Sequence, residues 1–245
     1  YHAAPRELRE LRLARDGTFV EDRAVIDDEA IAPELDHTGC FEYPGASVAP
    51  AAGGYVVAGY SLLSRMAAIT VRADRSTLVQ EWAPAARYPF GYDHALVRRR
   101  VASLPSGTFG MLGPIEDDGA RLWVTDEEGA FLRSDLVAAP GTLPSDARIF
   151  ALQDRFVVAF APLFAAPGSV PSGTPVFRSF DARGHAIGEE ALFDRDVRIE
   201  ALAPAGGRDV AVVYRADLEP GWPGIQAGEL RARILSLHDE LGPPE

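Results

Sequence analysis

Short stretches in which apolar and polar residues alternate fill much of this chain. Ala68-Ile69-Thr70-Val71-Arg72 is one of them, and a two-residue period is what a strand with one buried face requires. Continuous apolar runs such as Val157-Val158-Ala159-Phe160 instead suit strands buried on both faces. Gly and Pro punctuate the joins, as in Pro50-Ala51-Ala52-Gly53-Gly54, Leu104-Pro105-Ser106-Gly107 and Pro204-Ala205-Gly206-Gly207. The pattern predicts an all-β protein.

One phrase recurs five times: an alternating stretch, an Asp-centred turn, and a second β stretch. The turn aspartates are Asp16, Asp74, Asp126, Asp181 and Asp239, separated by 58, 52, 55 and 58 positions. Self-similarity at such a period marks a repeat architecture. The later copies each resolve into four short strands, giving units over about residues 44–83, 94–138, 147–193 and 197–245. Residues 8–26 match only the outer two strands of a unit. A four-stranded antiparallel unit repeated radially is the blade of a β-propeller. The whole chain, 1–245, therefore reads as one propeller domain, with five blades expected and four, or part of a larger ring, as alternatives. A β-sandwich is the competing fold.

Gly53-Gly54-Tyr55-Val56-Val57-Ala58 and Arg178-Ser179-Phe180-Asp181-Ala182-Arg183-Gly184 carry a likeness to a known group. In these segments the chain resembles the degenerate bacterial β-propeller repeat proteins, in which a Gly-Gly strand leads to an Arg-x-x-Asp-x-x-Gly hairpin. The resemblance implies an architecture and no activity. The WD dipeptide and the Ser-x-Asp-x-Gly-x-Thr-Trp box of sialidase-like propellers are missing.

The formal net charge of −12 argues against nucleic acid as a ligand, since an acidic surface repels phosphates. All 24 basic residues are Arg, and Lys and Asn do not occur, as expected of a GC-rich bacterial genome. No apolar run approaches the length of about 18 residues that spans a bilayer. Cys40 is the only cysteine, so no intrachain disulfide forms. The start at Tyr1 points to a removed leader or a longer precursor, and with the fold type to a periplasmic or extracellular location. The half unit at 8–26 needs partner strands, from a lost upstream segment, from a partner chain, or from the C-terminal strands.

Long loops gather on one face of such a ring, and they hold Tyr88, Phe90, Tyr92, Phe164 and Trp222 as candidate ligand-binding aromatics. Asp36, Asp93, Asp146 and Asp196 recur ahead of successive first strands, at spacings of 57, 53 and 50. If they face one another at the channel, Asp93, Asp146 and Asp196 could hold calcium through hard oxygen ligands. Otherwise each accepts backbone hydrogen bonds where a strand begins. No Gly-x-Ser-x-Gly elbow, phosphate-binding glycine loop, Rossmann fingerprint, His-Glu-x-x-His or Cys-x-x-Cys occurs. The expectation is thus a non-catalytic exported binding or scaffold module, presenting an acidic, aromatic-containing loop face to a protein or glycan partner and needing no cofactor. The alternative is a carbohydrate-active enzyme, because five-bladed propellers resembling this chain include glycoside hydrolases. Its catalytic carboxylates would be Asp36, Asp93, Asp146 and Asp196.

Overall fold

The computed structural model describes residues 8–26, 47–51, 53–60, 66–74, 77–82, 97–99, 101–116, 119–138, 143–164, 173–216 and 228–237. Every regular element among them is a strand. A hairpin of β1 (Leu8–Leu13) and β2 (Phe19–Ile26) comes first. An antiparallel sheet follows: β3 (Ser47–Ala51), β4 (Gly54–Tyr60), β5 (Met66–Arg72) and β6 (Thr77–Trp82). After β7 (Val97–Arg99), a second four-stranded sheet holds β8 (Val101–Ser103), β9 (Phe109–Glu116), β10 (Gly119–Thr125) and β11 (Phe131–Leu136). The third sheet is β12 (Leu143–Leu152), β13 (Arg155–Phe164), β14 (Val176–Phe180) and β15 (Ala186–Leu192). The last has three strands, β16 (Arg198–Gly206), β17 (Asp209–Ala216) and β18 (Glu229–Ser236).

These sheets are the blades of a β-propeller. Each complete blade is a four-stranded meander, and the first strands of successive blades touch: β3 meets β8, β8 meets β12, and β12 meets β16. Three separate apolar cores lie between four successive sheets, whereas a sandwich would close two sheets over one core. The unit read from sequence as 94–138 opens with two short strands that belong to different sheets. β8 stays in its own blade, while β7 pairs in parallel with β12 of the next, Val97 opposite Ala147 and Arg99 opposite Arg148. Strand β12 also begins at Leu143 rather than at 147, because a bulge between Ser145 and Arg148 lets pairing with β13 continue.

Strand alternation explains the cores. On β13, Phe156, Val158 and Phe160 turn toward the preceding blade, where Leu112, Leu122 and Val124 meet them. Val157 and Ala159 turn the other way, toward Val210, Val212 and Tyr214 of the following blade. The apolar run read from sequence as buried on both faces is therefore the centre of the middle blade. Each of its Phe side chains contributes on the order of 2–3 kcal/mol by leaving water. Gly110 on β9 shows how closely the blades approach: a Cβ there would lie 2.8 Å from Ile149 Cδ1 and from Phe156 Cδ1.

Three of the repeated turns, and the turn at Leu104–Thr108, share one hydrogen-bond pattern. Asp126 N–H donates to the Ala130 carbonyl, and Gly129 N–H to the Asp126 carbonyl, at 3.0 Å each. The same pair of bonds closes Asp181–His185, Ala14–Thr18 and Leu104–Thr108. The fourth residue is Gly each time, with φ from 84° to 90°, a conformation that side chains with a Cβ resist. Asp181 Oδ1 accepts from the Arg183 and His185 amides at 2.8 and 2.9 Å, and Asp126 Oδ1 from those of Glu128 and Ala130 at 3.0 and 2.7 Å. Asp16 sits two positions later in its turn and accepts only from Thr18 N–H, at 2.9 Å. Asp239 lies outside the described residues.

Burial pushes the Asp181 carboxyl up, but bonds from the His185 amide and ring and the Arg183 amide outweigh it, leaving its pKa below the ordinary 3.8. A depressed carboxylate stabilises the folded state above its ordinary pKa, and that contribution is lost as pH falls through the folded value. Asp181→Ala should therefore cost about 1 kcal/mol at neutral pH, the size of a net hydrogen bond. In urea titrations the gap between the two proteins should close as pH falls below 3.8. Gly110→Val tests the blade contact: overpacking should lower stability by about 1–3 kcal/mol, read as an earlier urea midpoint at unchanged slope.

Candidate active-site face

Of the sequence-derived candidates, Asp146, Phe164 and Asp196 are described, and their main chain lies toward the end of the sheets where β12 and β16 begin. Strand β13 arrives there, with Phe164 opposite Leu143 and Pro162 opposite Pro144. Asp146 lies two positions beyond Pro144, inside β12 and within its bulge. The chain returns at Gly173, whose N–H donates to the Pro162 carbonyl at 3.1 Å. Asp196, in the turn leading to β16, donates its own N–H to the Gly173 carbonyl at 3.2 Å. A short series of backbone bonds thus ties Asp196 to the strand end that carries Phe164 and, across the ladder, to the start of β12.

Asp196 adopts φ 59°, a left-handed conformation that Asp tolerates better than most residues. Its carboxylate is 79% exposed, with Arg195 Nε 3.7 Å away, so it projects from the face. Gly173 makes room for it: a Cβ there would sit 3.3 Å from Asp196 Oδ1. The neighbouring Phe193 anchors the connection from β15, its N–H on the Pro175 carbonyl at 2.9 Å and its ring edge-on to Tyr214 at 4.9 Å. Arg233 lies over the Phe193 ring at 5.2 Å and pairs with Asp194 at 3.1 Å. The turn is rigidly seated although its carboxylate is in solvent.

Asp36, Asp93, Tyr88, Phe90, Tyr92 and Trp222 lie outside the described residues. Among the described residues no group of three His, Cys, Asp or Glu side chains is placed to hold a metal ion. No helix among them is long and apolar enough to cross a membrane.

Arg148 is a residue the sequence reading missed. It is 8% exposed, and its guanidinium reaches from β12 to β16, donating to the Ile199 and Glu200 carbonyls at 2.6 and 2.7 Å. Arg178 does the same on the other side of the blade, donating to the Val137 carbonyl at 3.2 Å. The available signal was a lone charge inside the apolar run Ala147-Arg148-Ile149-Phe150. On β16, Glu200 also receives Arg215 Nε at 2.7 Å, and Arg198 Nε lies at 3.6 Å.

No family model and no curated protein matches this chain. Its fold is similar to that of the α-L-arabinofuranosidase Arb93A from Fusarium graminearum, solved with an iminosugar inhibitor. That match has a TM-score of 0.47 at 11% identity, over 80% of this chain and 64% of the other. It is also similar to an engineered GH43 glycoside hydrolase with endo-xylanase and exo-arabinofuranosidase activity. There the TM-score is 0.43 at 10% identity, over 90% of this chain and 46% of the other. The chain thus spans less than two thirds of the length of either. Both are glycoside hydrolases, and they correct the expectation of a non-catalytic binding or scaffold module in favour of its carbohydrate-active alternative. At such identities the likeness concerns the fold and assigns no activity to this chain.

Arg148 tests the coupling of the inner strands. Arg148→Ala removes a charged donor from the buried Ile199 carbonyl and the part-buried Glu200 carbonyl, and should cost about 2–4 kcal/mol in chemical denaturation. Arg148→Lys should recover only part of that loss, because a single ammonium cannot reproduce the guanidinium fork.

Proposed function

We propose that this chain is a carbohydrate-active enzyme of the glycoside hydrolase type, acting on a polysaccharide at the face where β12 and β16 begin. One observation carries the reading. Backbone bonds through Gly173 and Pro162 join the turn of Asp196 to the end of β13, which lies across the ladder from the start of β12. Hydrolysis of a glycosidic bond needs two carboxyl groups flanking it. One, protonated, donates to the leaving oxygen; the other acts on the anomeric carbon directly or through water. Asp146 and Asp196 are the first pair to assign, with Asp36 and Asp93 the further candidates. Phe164, Tyr88, Phe90, Tyr92 and Trp222 are the aromatics that this reading assigns to contact with a sugar ring. The left-handed backbone of Asp196 supports it, since conformations of this kind collect at functional sites. Action on a polymer also fits a periplasmic or extracellular location.

A panel of plant and bacterial polysaccharides, assayed for released reducing ends, tests the proposal. On the substrate that is turned over, Asp146→Asn or Asp196→Asn should lower kcat by about 10²–10⁴-fold, as expected for loss of a general acid or base. Thermal midpoints of both variants should stay at the wild-type value. No turnover on any polymer, or turnover untouched by Asn at all four aspartates, overturns the assignment.

A further inference from the structure

Gly173 is built into the candidate face in a way that the hairpin glycines are not. Gly17, Gly129 and Gly184 each donate their N–H back to a residue three positions earlier, closing a tight turn on itself. Gly173 joins two separate segments instead. Its N–H goes to the Pro162 carbonyl on β13, and its own carbonyl accepts the Asp196 N–H. A residue of an antiparallel ladder turns its N–H and C=O to the same partner strand. The chain at Gly173 leads into β14, which lies between β13 and β15, so Gly173 serves one neighbour on each side. It does so with φ 82°, a backbone that side chains with a Cβ resist.

Both sides of the Gly173–Asp196 bond are seated in the interior. Thr174, Pro175 and Val176, next along the chain from Gly173, are buried. Facing them is Phe193, also buried, with its N–H on the Pro175 carbonyl. From Phe193 the chain runs out through the exposed Asp194 and Arg195, and the bond from Asp196 to Gly173 brings it back before β16 begins. The carboxylates of Asp126 and Asp181 are held by amides of their own turns. That of Asp196 has only Arg195 Nε beside it, at 3.7 Å, among the described residues. Its direction is therefore set by its main chain and by the space next to it. That space lies over Gly173, where a Cβ would stand 3.3 Å from Oδ1 and press it aside.

We propose that Gly173 is a positioning residue for Asp196: its carbonyl fixes the Asp196 main chain, and its missing side chain leaves the carboxylate room. The role rests on the hydrolase reading given above. In it Gly173 needs no contact with substrate and acts through Asp196 alone. Two substitutions separate its parts. Asn accepts a φ of about 80° better than Ala does, yet both carry a Cβ. Backbone strain penalises Ala, whereas crowding of the carboxylate penalises both.

Gly173→Ala and Gly173→Asn are compared with the wild type on the polysaccharide that it turns over. Each should lower kcat by about 10–10²-fold at unchanged KM, as misplacement of a reacting group does. The thermal midpoint should fall in Gly173→Ala and stay closer to wild type in Gly173→Asn, so a loss of rate shared by both is not a loss of fold. In an Asp196→Asn background Gly173→Ala should lower the residual rate no further, because the two changes act through one group. Independently of activity, hydrogen exchange should quicken at the Asp196 amide in Gly173→Ala and stay unchanged at the Phe193 amide. A wild type that turns over no polymer overturns the hydrolase reading and this role with it. Where Asp196→Asn disables an active wild type, three results overturn the positioning role alone. They are full kcat in Gly173→Asn, a Gly173→Ala loss that persists in the Asp196→Asn background, and an Asp196 amide whose exchange does not move.

Discussion

The structure depends on sheets packing face to face, each strand giving alternate side chains to two different neighbours. On β13 a single step along the chain moves a side chain from the Phe156–Val158–Phe160 core to the Val157–Ala159 core. A one-residue slip of that strand would exchange the two sets and misfit both interfaces together. Register in the middle blade is therefore fixed by two cores rather than one. The bulge between Ser145 and Arg148 is where β12 adjusts to both. Ala147 and Ile149 then serve one core, and Phe150 and Leu152 the other.

Guanidinium groups act at the same joints. Arg148 spans to β16, Arg178 spans to Val137, and Arg23 meets Glu10 where the hairpin lies on Tyr55. A planar, always charged group with several donors suits a carbonyl edge that apolar packing has removed from water. Burial, with the bond to Glu10 next, pushes the Tyr55 hydroxyl up to about 12, so it remains a donor throughout the physiological range. The hairpin is thus held by a charged, hydrogen-bonded contact, whereas the other sheets meet over apolar cores with guanidinium bonds at their edges. That difference leaves Leu11, Leu13 and Phe19 facing water.

Strands and turns were legible in the sequence because both obey local rules. Alternation put Ala68–Arg72 on a strand, where β5 runs, and the turn aspartates Asp126 and Asp181 announced hairpins whose bonds the structure shows. What spacing could not give was depth. Counting residues put Asp146 and Asp196 in one phase, yet Asp146 lies inside β12 and Asp196 in a turn before β16. The parallel pairing of β7 with β12 was equally hidden, because it joins strands whose partners are set by the ring and not by neighbours in sequence. Hairpin polarity escaped as well: alternation in Leu11-Arg12-Leu13 predicts two faces but not which one meets the next blade.

The candidate face inherits its geometry from these joints. Asp196 is exposed, but its backbone is set by Gly173, Gly173 by Pro162, and Pro162 by the ladder that β13 shares with β12. Arg148 then links that same strand to Ile199 and Glu200, just past the turn that carries Asp196. The path closes on itself: strand, turn and next inner strand determine one another through backbone bonds and one buried guanidinium. A carboxylate mounted this way can be open to solvent and still hold its position, because every constraint on it acts through the main chain. The blade-to-blade contacts thus supply positional precision without costing solvent access, the two properties that the proposed hydrolase reading asks of Asp196.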